Sequence, residues 1–302
     1  MEIDRIITLA NAPMKIQFIA MERSLRLCGC KLPIQVIPYD DNKFELPSGA
    51  SWWLDSDVQR WLDSENASPR FRKYQCFLVK NYQFADPDIV FLKNPAEVLL
   101  PLDGFVATDT EWNKPQYTYS KESIGILASK SSLWQRSVFN SGQFASSVAL
   151  YDFEGLRKMA MSPKCVQTCV HFPVHDQPGM NLLVAMAGTQ ITNTTLPPFD
   201  TESTWAGDYL GDYKSLWSDQ SRMPYLIHWA GPVLELNRPI NNLFYELLTR
   251  QERAEWDALM RERAAKSLSR YRSSLPWWKL PWHDVKQVAK RMVKTTPAKT
   301  SP

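Results

Sequence analysis

The first forty residues constrain the fold most, because they change from a strand-like to a helix-like pattern and back. Residues 3–10 form a short apolar run that predicts a buried strand. Asn11 and Pro13 then supply a helix start, and residues 14–27 carry apolar side chains at helical spacing. Residues 34–39 are a second apolar run. This order of strand, helix and strand is typical of the βαβ unit of an open parallel sheet.

The rest of the chain continues this α/β pattern. Short apolar runs predict strands at residues 88–92, 104–108, 125–128 and 223–229. Helical spacing predicts helices at residues 71–80, 177–187 and 241–272, and the polar stretch 42–70 predicts a loop or short-helix insertion. We therefore expect one α/β domain over residues 1–240 and a helical extension over residues 241–302.

Composition places the chain among ordinary globular proteins. Of its 302 residues, 44% are hydrophobic and 22% are charged, which excludes a disordered chain. No run of 18 apolar residues is present, so no membrane-spanning helix is expected. Charged residues interrupt the first twenty positions, and the five cysteines are an odd number. We expect a cytoplasmic protein with reduced thiols.

The net charge of +3 hides an asymmetry between the tail and the rest of the chain. Residues 261–302 hold eleven Lys or Arg and two acids, a net of +9, which leaves 3 − 9 = −6 for residues 1–260. Within residues 273–294, three tryptophans precede a basic, amphipathic helical pattern, which predicts peripheral attachment to an anionic membrane. The alternative is a helix packed on the domain; nucleic-acid binding is not expected, because the basic surface is narrow.

Asp86 and Asp88 form the pair of residues that most clearly indicates chemistry. They flank Pro87 and precede an apolar run at residues 89–92. Residues two apart on a strand share one face, and two neighbouring carboxylates repel each other unless a cation lies between them. Mg²⁺ or Mn²⁺ prefers such oxygen ligands and keeps positions open for phosphate oxygens. The alternative is a pair of exposed acids at the start of a strand.

The sequence ADPDIVFLKNP at residues 85–95 resembles the Asp-x-Asp region of GT-A glycosyltransferases, most closely the family 8-like bacterial nucleotide-sugar transferases. Four further similar motifs follow in that family's order: GFVATD at 104–109, FNSGQF at 139–144, Asp176-Gln177 with Asn181, and IHWAGP at 227–232. The resemblance implies a GT-A, Rossmann-like open mixed sheet with helices on both faces. It also implies an enzyme that uses Mn²⁺ or Mg²⁺ to move a sugar from a nucleotide diphosphate donor, a UDP-hexose, to a glycan or lipid-linked acceptor, with retention of configuration.

The resemblance also implies a role for individual residues. The metal would be held by Asp86, Asp88 and His228. The nucleotide would be bound by Ala10, Asn11, Asp40, Asp41, Lys73 and Gly231. The transferred sugar would be surrounded by Asp109, Asn140, Asp176 and Gln177. Gln177 would lie near the reacting carbon of a retaining enzyme, and Asp176 would be the general base of an inverting one.

Several of these residues have a structural alternative. Asp40 and Asp41 suit a turn, Asp176 suits the N-cap of the helix predicted at 177–187, and His228 suits a buried structural role. Leu234 stands where the family often has a diphosphate-binding lysine, and Arg238 is the nearest basic substitute.

Two other functions and one other metal site remain open at this point. A nucleotidyltransferase is disfavoured, because no glycine-rich basic loop follows the first strand. A non-catalytic glycan-binding protein with a degenerate site is favoured only by the missing lysine. A zinc site is disfavoured by a spacing unlike that of a zinc finger in the set Cys165, Cys169, His171 and His175.

Overall fold

The computed structural model describes residues 1–113, 121–162, 176–231, 234 and 238–274. The four residues of the disfavoured zinc set, and all but the first two residues of the segment 273–294, lie outside these ranges. The chain divides into two compact units, Met1–Leu248 and Thr249–Pro302. The functional division predicted at residue 240 stays a prediction. Within the described residues, no helix combines the length and the apolar character needed to cross a membrane.

The first unit contains the strands and most of the helices. The strands are β1 Arg5–Ala10, β2 Ile34–Pro38, β3 Ala50–Trp52, β4 Tyr82–Ala85, β5 Ile89–Phe91, β6 Phe105–Ala107, β7 Gln143–Ser146, β8 Ile191–Asn193 and β9 Leu226–His228. The helices are α1 Lys15–Leu27, α2 Ser56–Ser64, α3 Pro95–Leu99, α4 Lys121–Lys130, α5 Phe153–Ala160, α6 Gln177–Met186, α7 Tyr213–Leu216 and α8 Asn242–Tyr245. Short 3-10 helices include Pro69–Leu78, Glu111–Asn113 and Ala206–Asp208.

The main sheet has seven strands in the order β3-β2-β1-β4-β7-β6-β8. The strand β7 pairs antiparallel with both of its neighbours, whereas the other pairs in this sheet are parallel. The carboxyl ends of β1, β2, β4 and β6 therefore share one edge of the sheet with the amino end of β7. Open α/β sheets bind ligands at the carboxyl ends of their strands, and the sequence motifs lie at this edge.

Alternating residues of the central strands fill two separate cores, one on each face of the sheet. Ile7 and Leu9 of β1 belong to one core, and Ile6 and Ala10 belong to the other. Helices α2, α5 and α6 contribute to the first core, and α1 contributes to the second through Phe18, Met21 and Leu25. The period of two along each strand thus buries both faces beneath helices, and the predicted α/β class with an open mixed sheet is confirmed.

The second unit is described over helix α9, Arg250–Ser274. The sequence predicts one helix over 241–272, but the structure has α8 and then a separate α9. Thr249 starts the new helix: its backbone N–H and its hydroxyl both lie within hydrogen-bonding distance of the Glu252 carboxylate, at 2.8 and 2.9 Å. The Glu252 backbone N–H donates to the Thr249 hydroxyl at 3.3 Å in return. This capping box sets a helix boundary that apolar spacing does not show.

Two other predicted elements differ from the structure. Residues 125–128 lie within helix α4 and not on a strand, because four apolar residues in a row do not distinguish the two states. Leu127 is buried in the core, and Ile124, three residues earlier on the same helical face, packs against it. Residues 71–80 are predicted to be helical, and the structure has the 3-10 helix Pro69–Leu78 instead of an α-helix.

Candidate metal centre and its two cavities

The two aspartates lie at the junction of the main sheet and a smaller sheet. Asp86 directly follows β4, and Asp88 directly precedes β5, which pairs antiparallel with β9. In that pairing Ile89 lies opposite His228. His228 Nε2 is 3.2 Å from Asp88 Oδ1 and 4.0 Å from Asp86 Oδ2. One ligand atom from each of the three residues lies within 4.8 Å of the others, so Asp86, Asp88 and His228 together can hold a metal ion.

Gly142 closes the opposite side of this cluster. Its carbonyl accepts a hydrogen bond from the Asp86 backbone N–H at 2.7 Å, and its own N–H donates to Asn140 Oδ1 at 2.8 Å. A Cβ at this position would be 2.4 Å from His228 Cε1 and 2.5 Å from Asp86 Oδ2. Glycine is thus required here by close approach, and its missing side chain leaves the space between the aspartate and the histidine open.

Lys73 is the buried cation of the site. It lies on the 3-10 helix Pro69–Leu78, and its Nζ is 2.9 Å from Asp86 Oδ1 and 3.1 Å from Asp176 Oδ2. Burial lowers the pKa of Lys73, but the two carboxylates outweigh burial and keep that pKa above its ordinary value. Lys73 therefore stays charged and links the end of β4 to the start of α6.

The three clustered ligands have opposed electrostatic tendencies. Burial raises the pKa of Asp86 above its ordinary value. Burial acts in the same direction on Asp88, but His228 outweighs it and holds the pKa of Asp88 below its ordinary value. Burial lowers the pKa of His228, and Asp88 more than reverses this, so the net shift is upward. Asp88 and His228 thus stabilise each other in the charged form, whereas burial disfavours the charged form of Asp86. A metal ion bound here would have to displace the proton of His228, because only the neutral imidazole is a ligand.

Asp109 and Asn140 form a second connected pair at the same edge. Asp109 lies two residues after β6, and the Asn140 backbone N–H donates to its Oδ2 at 2.9 Å. The Glu111 backbone N–H donates to the other carboxylate oxygen at 3.0 Å. Burial raises the pKa of Asp109 to about 7, with the charge of Glu111 adding to the shift against these two hydrogen bonds. Asp109 can therefore change its charge near neutral pH.

Asp176 and Gln177 start α6, but neither acts as a conventional cap. The Asp176 side chain accepts no capping hydrogen bond; it contacts Lys73 and accepts a hydrogen bond from Ser141 Oγ at 3.2 Å. Asp176 thus stands at the N-cap position, as its structural alternative predicts, but its side chain serves Lys73 and Ser141 instead of capping the helix. Gln177 Oε1 accepts the Ser141 backbone N–H at 3.2 Å, while its Nε2 is buried and finds no partner among the described residues. An unused buried donor beside the site is available to a ligand.

A cavity of about 260 Å³ opens on one side of the metal cluster, and we call it the Lys73 cavity. It is lined by Leu9, Met14, Gln17, Tyr39, Arg70, Lys73, Asp86, Pro87, Asp88 and Asp176. Leu9 and Tyr39 lie at the carboxyl ends of β1 and β2, next to the predicted nucleotide-binding residues Ala10 and Asp40. The cavity therefore extends from the carboxyl ends of β1 and β2 to the two aspartates.

Asn11, Asp40 and Asp41 lie close to this cavity without lining it. Asn11 Nδ2 donates to Asp40 Oδ2 at 2.7 Å, and the Asn42 backbone N–H donates to Asp40 Oδ1 at 3.0 Å. Asp41 is exposed. Asp40 thus closes a turn, as its structural alternative proposes, and also fixes the buried Asn11, whose Oδ1 has no partner within the described chain.

A second cavity of about 270 Å³ opens on the other side of the cluster, and we call it the Trp205 cavity. It is lined by Asp109, Thr110, Glu111, Asn113, Asn140, Gln143, Trp205, Asp208, His228 and Ala230. Two of the three clustered ligands face the Lys73 cavity, and the third, His228, faces the Trp205 cavity. The metal centre therefore lies between two separate spaces.

Comparison with known proteins gives a match to structures only. No family model and no curated sequence matches the chain. The galactosyltransferase LgtC, solved with donor and acceptor sugar analogues, aligns at a TM-score of 0.50 and 15% identity over 83% of this chain and 99% of LgtC. An active-site mutant of LgtC aligns at 0.51 and 12% identity over 82% of this chain and 99% of that one. The glycosyltransferase GlyE of Streptococcus pneumoniae TIGR4 aligns at 0.46 and 12% identity over 88% of this chain and 64% of GlyE.

The chain has the GT-A glycosyltransferase fold. This agrees with the family that the sequence motifs resemble. At these identities the likeness concerns the arrangement of the backbone, and the chemistry is argued below from the side chains of this chain.

The last motif of this glycosyltransferase fold is only partly described. Gly231 lies three residues after His228 and has a φ of 80°, a left-handed conformation that favours glycine. Leu234 is buried, as its apolar side chain requires. Arg238 Nη1 donates to the Gly207 carbonyl at 2.8 Å and thereby supports the chain beside the Trp205 cavity. The substitution of Arg238 for the family's lysine stays a prediction.

The sequence did not indicate several residues that line the two cavities. These are Leu9, Met14, Gln17, Tyr39 and Arg70 in the Lys73 cavity, and Thr110, Glu111, Asn113, Gln143, Trp205, Asp208 and Ala230 in the Trp205 cavity. Gln143 and Ala230 lie within the motifs FNSGQF and IHWAGP but were given no role, and most of the others are close in sequence to a motif. The residues around each motif were therefore the available signal. For Trp205, the only signal was the excess of tryptophan, with 12 in the chain.

Proposed function

We propose that this protein is a metal-dependent glycosyltransferase that takes a sugar from a nucleoside diphosphate donor, a UDP-hexose, and passes it to a glycan or lipid-linked acceptor. The observation that carries the proposal is the cluster of Asp86, Asp88 and His228 at the ligand-binding edge of a glycosyltransferase fold. Its position between two cavities suits a reaction with two substrates.

The residues of the cluster fit Mn²⁺ or Mg²⁺. Two carboxylates and one imidazole are a suitable donor set for Mn²⁺, and the Gly142 gap leaves room between them. When bound, the metal would neutralise the charge that develops on the diphosphate leaving group. Asp86 and Asp88 would hold it from the Lys73 cavity side, and His228 would hold it from the other.

The Lys73 cavity suits the nucleoside diphosphate. Tyr39 and Leu9 offer an aromatic and an apolar surface at the ends of β2 and β1, where a base can lie. Arg70 and Lys73 bring positive charge to the same cavity as the two aspartates. Arg70 thus supplies a positive charge for a phosphate group, which Leu234, at the position of the family's lysine, does not supply.

The donor sugar would lie where the two cavities approach each other. Asn140 and Asp109 are on the Trp205 side, and Asp176 is on the Lys73 side. The Nε2 of the buried Gln177, which has no partner among the described residues, can donate a hydrogen bond to a sugar oxygen. In the LgtC mutant that aligns with this chain, a glutamine of the active site is replaced by glutamate, which supports a similar role for Gln177.

We propose that the anomeric configuration is retained, as the resemblance implies. The ion pair between Asp176 and Lys73 supports this, because it already engages the carboxylate that would be the general base of an inverting enzyme. If the product is inverted, Asp109 is the better-placed base: it lines the Trp205 cavity and has a pKa of about 7. NMR of the product's anomeric proton, with a donor of known configuration, separates the two outcomes.

The experiment that tests the function is hydrolysis and transfer with a panel of nucleotide sugars, each with Mn²⁺ and with EDTA. We expect one UDP-hexose to be consumed only when Mn²⁺ is present. Asp86→Asn should remove this activity, whereas Asp63→Asn, a change of an exposed acid on α2, should not. If no nucleotide sugar is bound or consumed, the proposal is wrong and a non-catalytic role gains support.

We also propose, from the sequence alone, that residues 273–294 attach the protein to an anionic membrane surface. The support is the group of three tryptophans followed by basic residues at helical spacing. Co-sedimentation of the full chain and a chain ending at residue 272 with anionic vesicles is the test. Equal sedimentation of both would contradict the proposal.

A further inference from the structure

The Trp205 cavity contains a large apolar ring in a fixed position. The Trp205 side chain is 42% exposed, yet its indole N–H donates to the Ala230 carbonyl at 3.3 Å. Its backbone forms an isolated parallel bridge with His228. The indole also lies directly against Gly207, where a Cβ would be 2.3 Å from the six-membered ring. An exposed aromatic surface held in this way offers a rigid platform for the apolar face of a ligand.

The acidic side chains around this platform are hydrogen-bond acceptors. Three acids line the cavity, Asp109, Glu111 and Asp208, and no lysine or arginine is among its described lining residues. Asn140 Nδ2 donates to Glu111 Oε1 at 3.2 Å, and Ser203 Oγ donates to Asp208 Oδ2 at 2.5 Å. The carboxylates of Asp109 and Asp208 keep further lone pairs for a ligand.

Gln143 gives an independent indication of a ligand. Its side-chain Nε2 donates to the Thr108 carbonyl at 2.9 Å and to Thr204 Oγ1 at 2.5 Å, which fixes the orientation of the amide. The opposite atom, Oε1, accepts no hydrogen bond within the described part of the chain, although Gln143 is only 2% exposed. A buried acceptor without a partner is costly, by about 1–3 kcal/mol in general, and a donating ligand would satisfy it.

We infer that the Trp205 cavity is the acceptor subsite and that it selects a hexopyranoside that is uncharged or carries an amino group, against a uronic acid or a sugar phosphate. This inference rests on the proposed function. Sugar hydroxyls and an ammonium group donate hydrogen bonds to the carboxylates and Gln143, while the C–H face of the ring stacks on Trp205. An anionic acceptor would meet three acids, and among the described lining residues only His228 can carry a positive charge to offset them. The volume of about 270 Å³ is small for a ligand pocket and suits one sugar ring at a time.

The test measures saccharide binding by saturation-transfer NMR with UDP and Mn²⁺ present. The probes are methyl gluco- and galactopyranosides, each as the neutral sugar, the 2-amino sugar and the uronic acid. We expect the neutral and amino sugars of one series to bind and the uronic acid of that series to bind at least about tenfold more weakly. Trp205→Ala should lower the affinity for the favoured probe by about tenfold, because it removes the stacking surface.

The matched control is Phe199→Ala, because Phe199 is 40% exposed, like Trp205, but lies outside the cavity. It should leave saccharide binding unchanged. The double variant Glu111→Gln, Asp208→Asn should raise affinity for the uronic acid relative to the neutral sugar. Equal binding of uronic acid and neutral sugar, no binding of any probe, or unchanged binding in Trp205→Ala would overturn the inference. Mn²⁺-dependent binding of UDP to the unaltered protein is measured separately, and its absence would count against the proposed function itself.

Discussion

The Lys73 cavity and the Trp205 cavity meet at the same candidate metal cluster, are almost equal in volume, and differ in charge. The Lys73 cavity combines Arg70 and Lys73 with three aspartates. The Trp205 cavity has three acids, an exposed indole and no lysine or arginine among its described lining residues. The first arrangement suits a polyanion bound through a metal and cations, and the second suits a ligand rich in hydroxyl groups.

Under the proposed function, this difference would allow one sheet edge to bind two chemically different substrates. The parallel strands β1, β2 and β4 supply the Lys73 cavity, whereas β6, the loop before β7 and the segment before β9 supply the other. Because β7 runs antiparallel between β4 and β6, its amino end brings Asn140 and Gly142 to the boundary between them. The predictions below test whether the two sides are functionally separate.

The largest effect is expected from removing one charge of the metal pair. Asp86→Asn or Asp88→Asn should reduce Mn²⁺-dependent binding of UDP-hexose by more than the 10- to 100-fold that loss of an outer-shell partner usually costs. Isothermal titration calorimetry, with and without Mn²⁺, measures the change. Asp63→Asn is the control, and circular dichroism checks folding. Undiminished metal-dependent binding in both variants would contradict the assignment of a metal centre to the boundary between the cavities.

Gly142→Ala should damage the metal centre without touching a ligand residue. Its Cβ would enter the space between His228 and Asp86, so Mn²⁺ affinity should fall by about 10- to 100-fold. The matched control is Gly125→Ala on α4, where an added Cβ would meet no atom within 4 Å. If both variants bind Mn²⁺ as the unaltered protein does, the gap at Gly142 has no role in metal binding.

Asp109 should make the stability of the Trp205 side depend on pH. Its folded-state pKa of about 7 is above that of an unfolded aspartate, so the native state is favoured by protonation and loses stability as pH rises through about 7. Relative to Asp109→Asn, the protein should lose about 2 kcal/mol of unfolding free energy between pH 5 and 7. Urea unfolding of both proteins at the two pH values measures this. A difference that stays constant with pH would show that Asp109 is already ionised at pH 5.

His228→Ala should have the smallest effect of this series, because it leaves both carboxylates in place. We expect affinity for UDP to fall about tenfold with Mn²⁺ and to change little with EDTA. Parallel titrations in the two conditions give the ratio. Equal losses in both would assign His228 to packing between β5 and β9 and would leave the Trp205 cavity without a link to the metal.

Much of the fold could be predicted because its signals are local. The first strand, the first helix and the second strand were predicted correctly, since each is long enough to show its period. Strands β3, β4, β7 and β8 were not predicted, because three or four residues carry too little pattern. Strand β3 lies within residues 42–70, which the sequence predicted to be a loop or short-helix insertion. The residues before the aspartates belong to β4 of the main sheet, whereas the predicted strand at 88–92 became β5 of the small sheet.

The sequence by itself determined the α/β class, the order of the motifs and the chemistry available at Asp86 and Asp88. Tertiary structure decided which distant groups join them. Pairing of β5 with β9 brings His228 next to the two aspartates, which lie about 140 residues earlier in the chain. Burial of Lys73 between Asp86 and Asp176 makes this basic residue a fixed counter-ion of both carboxylates. The acid-lined surface beside Trp205 likewise exists only after β6, the loop before β7 and the segment before β9 have come together. Such long-range contacts depend on strand register and packing, which residue patterns within one segment do not encode.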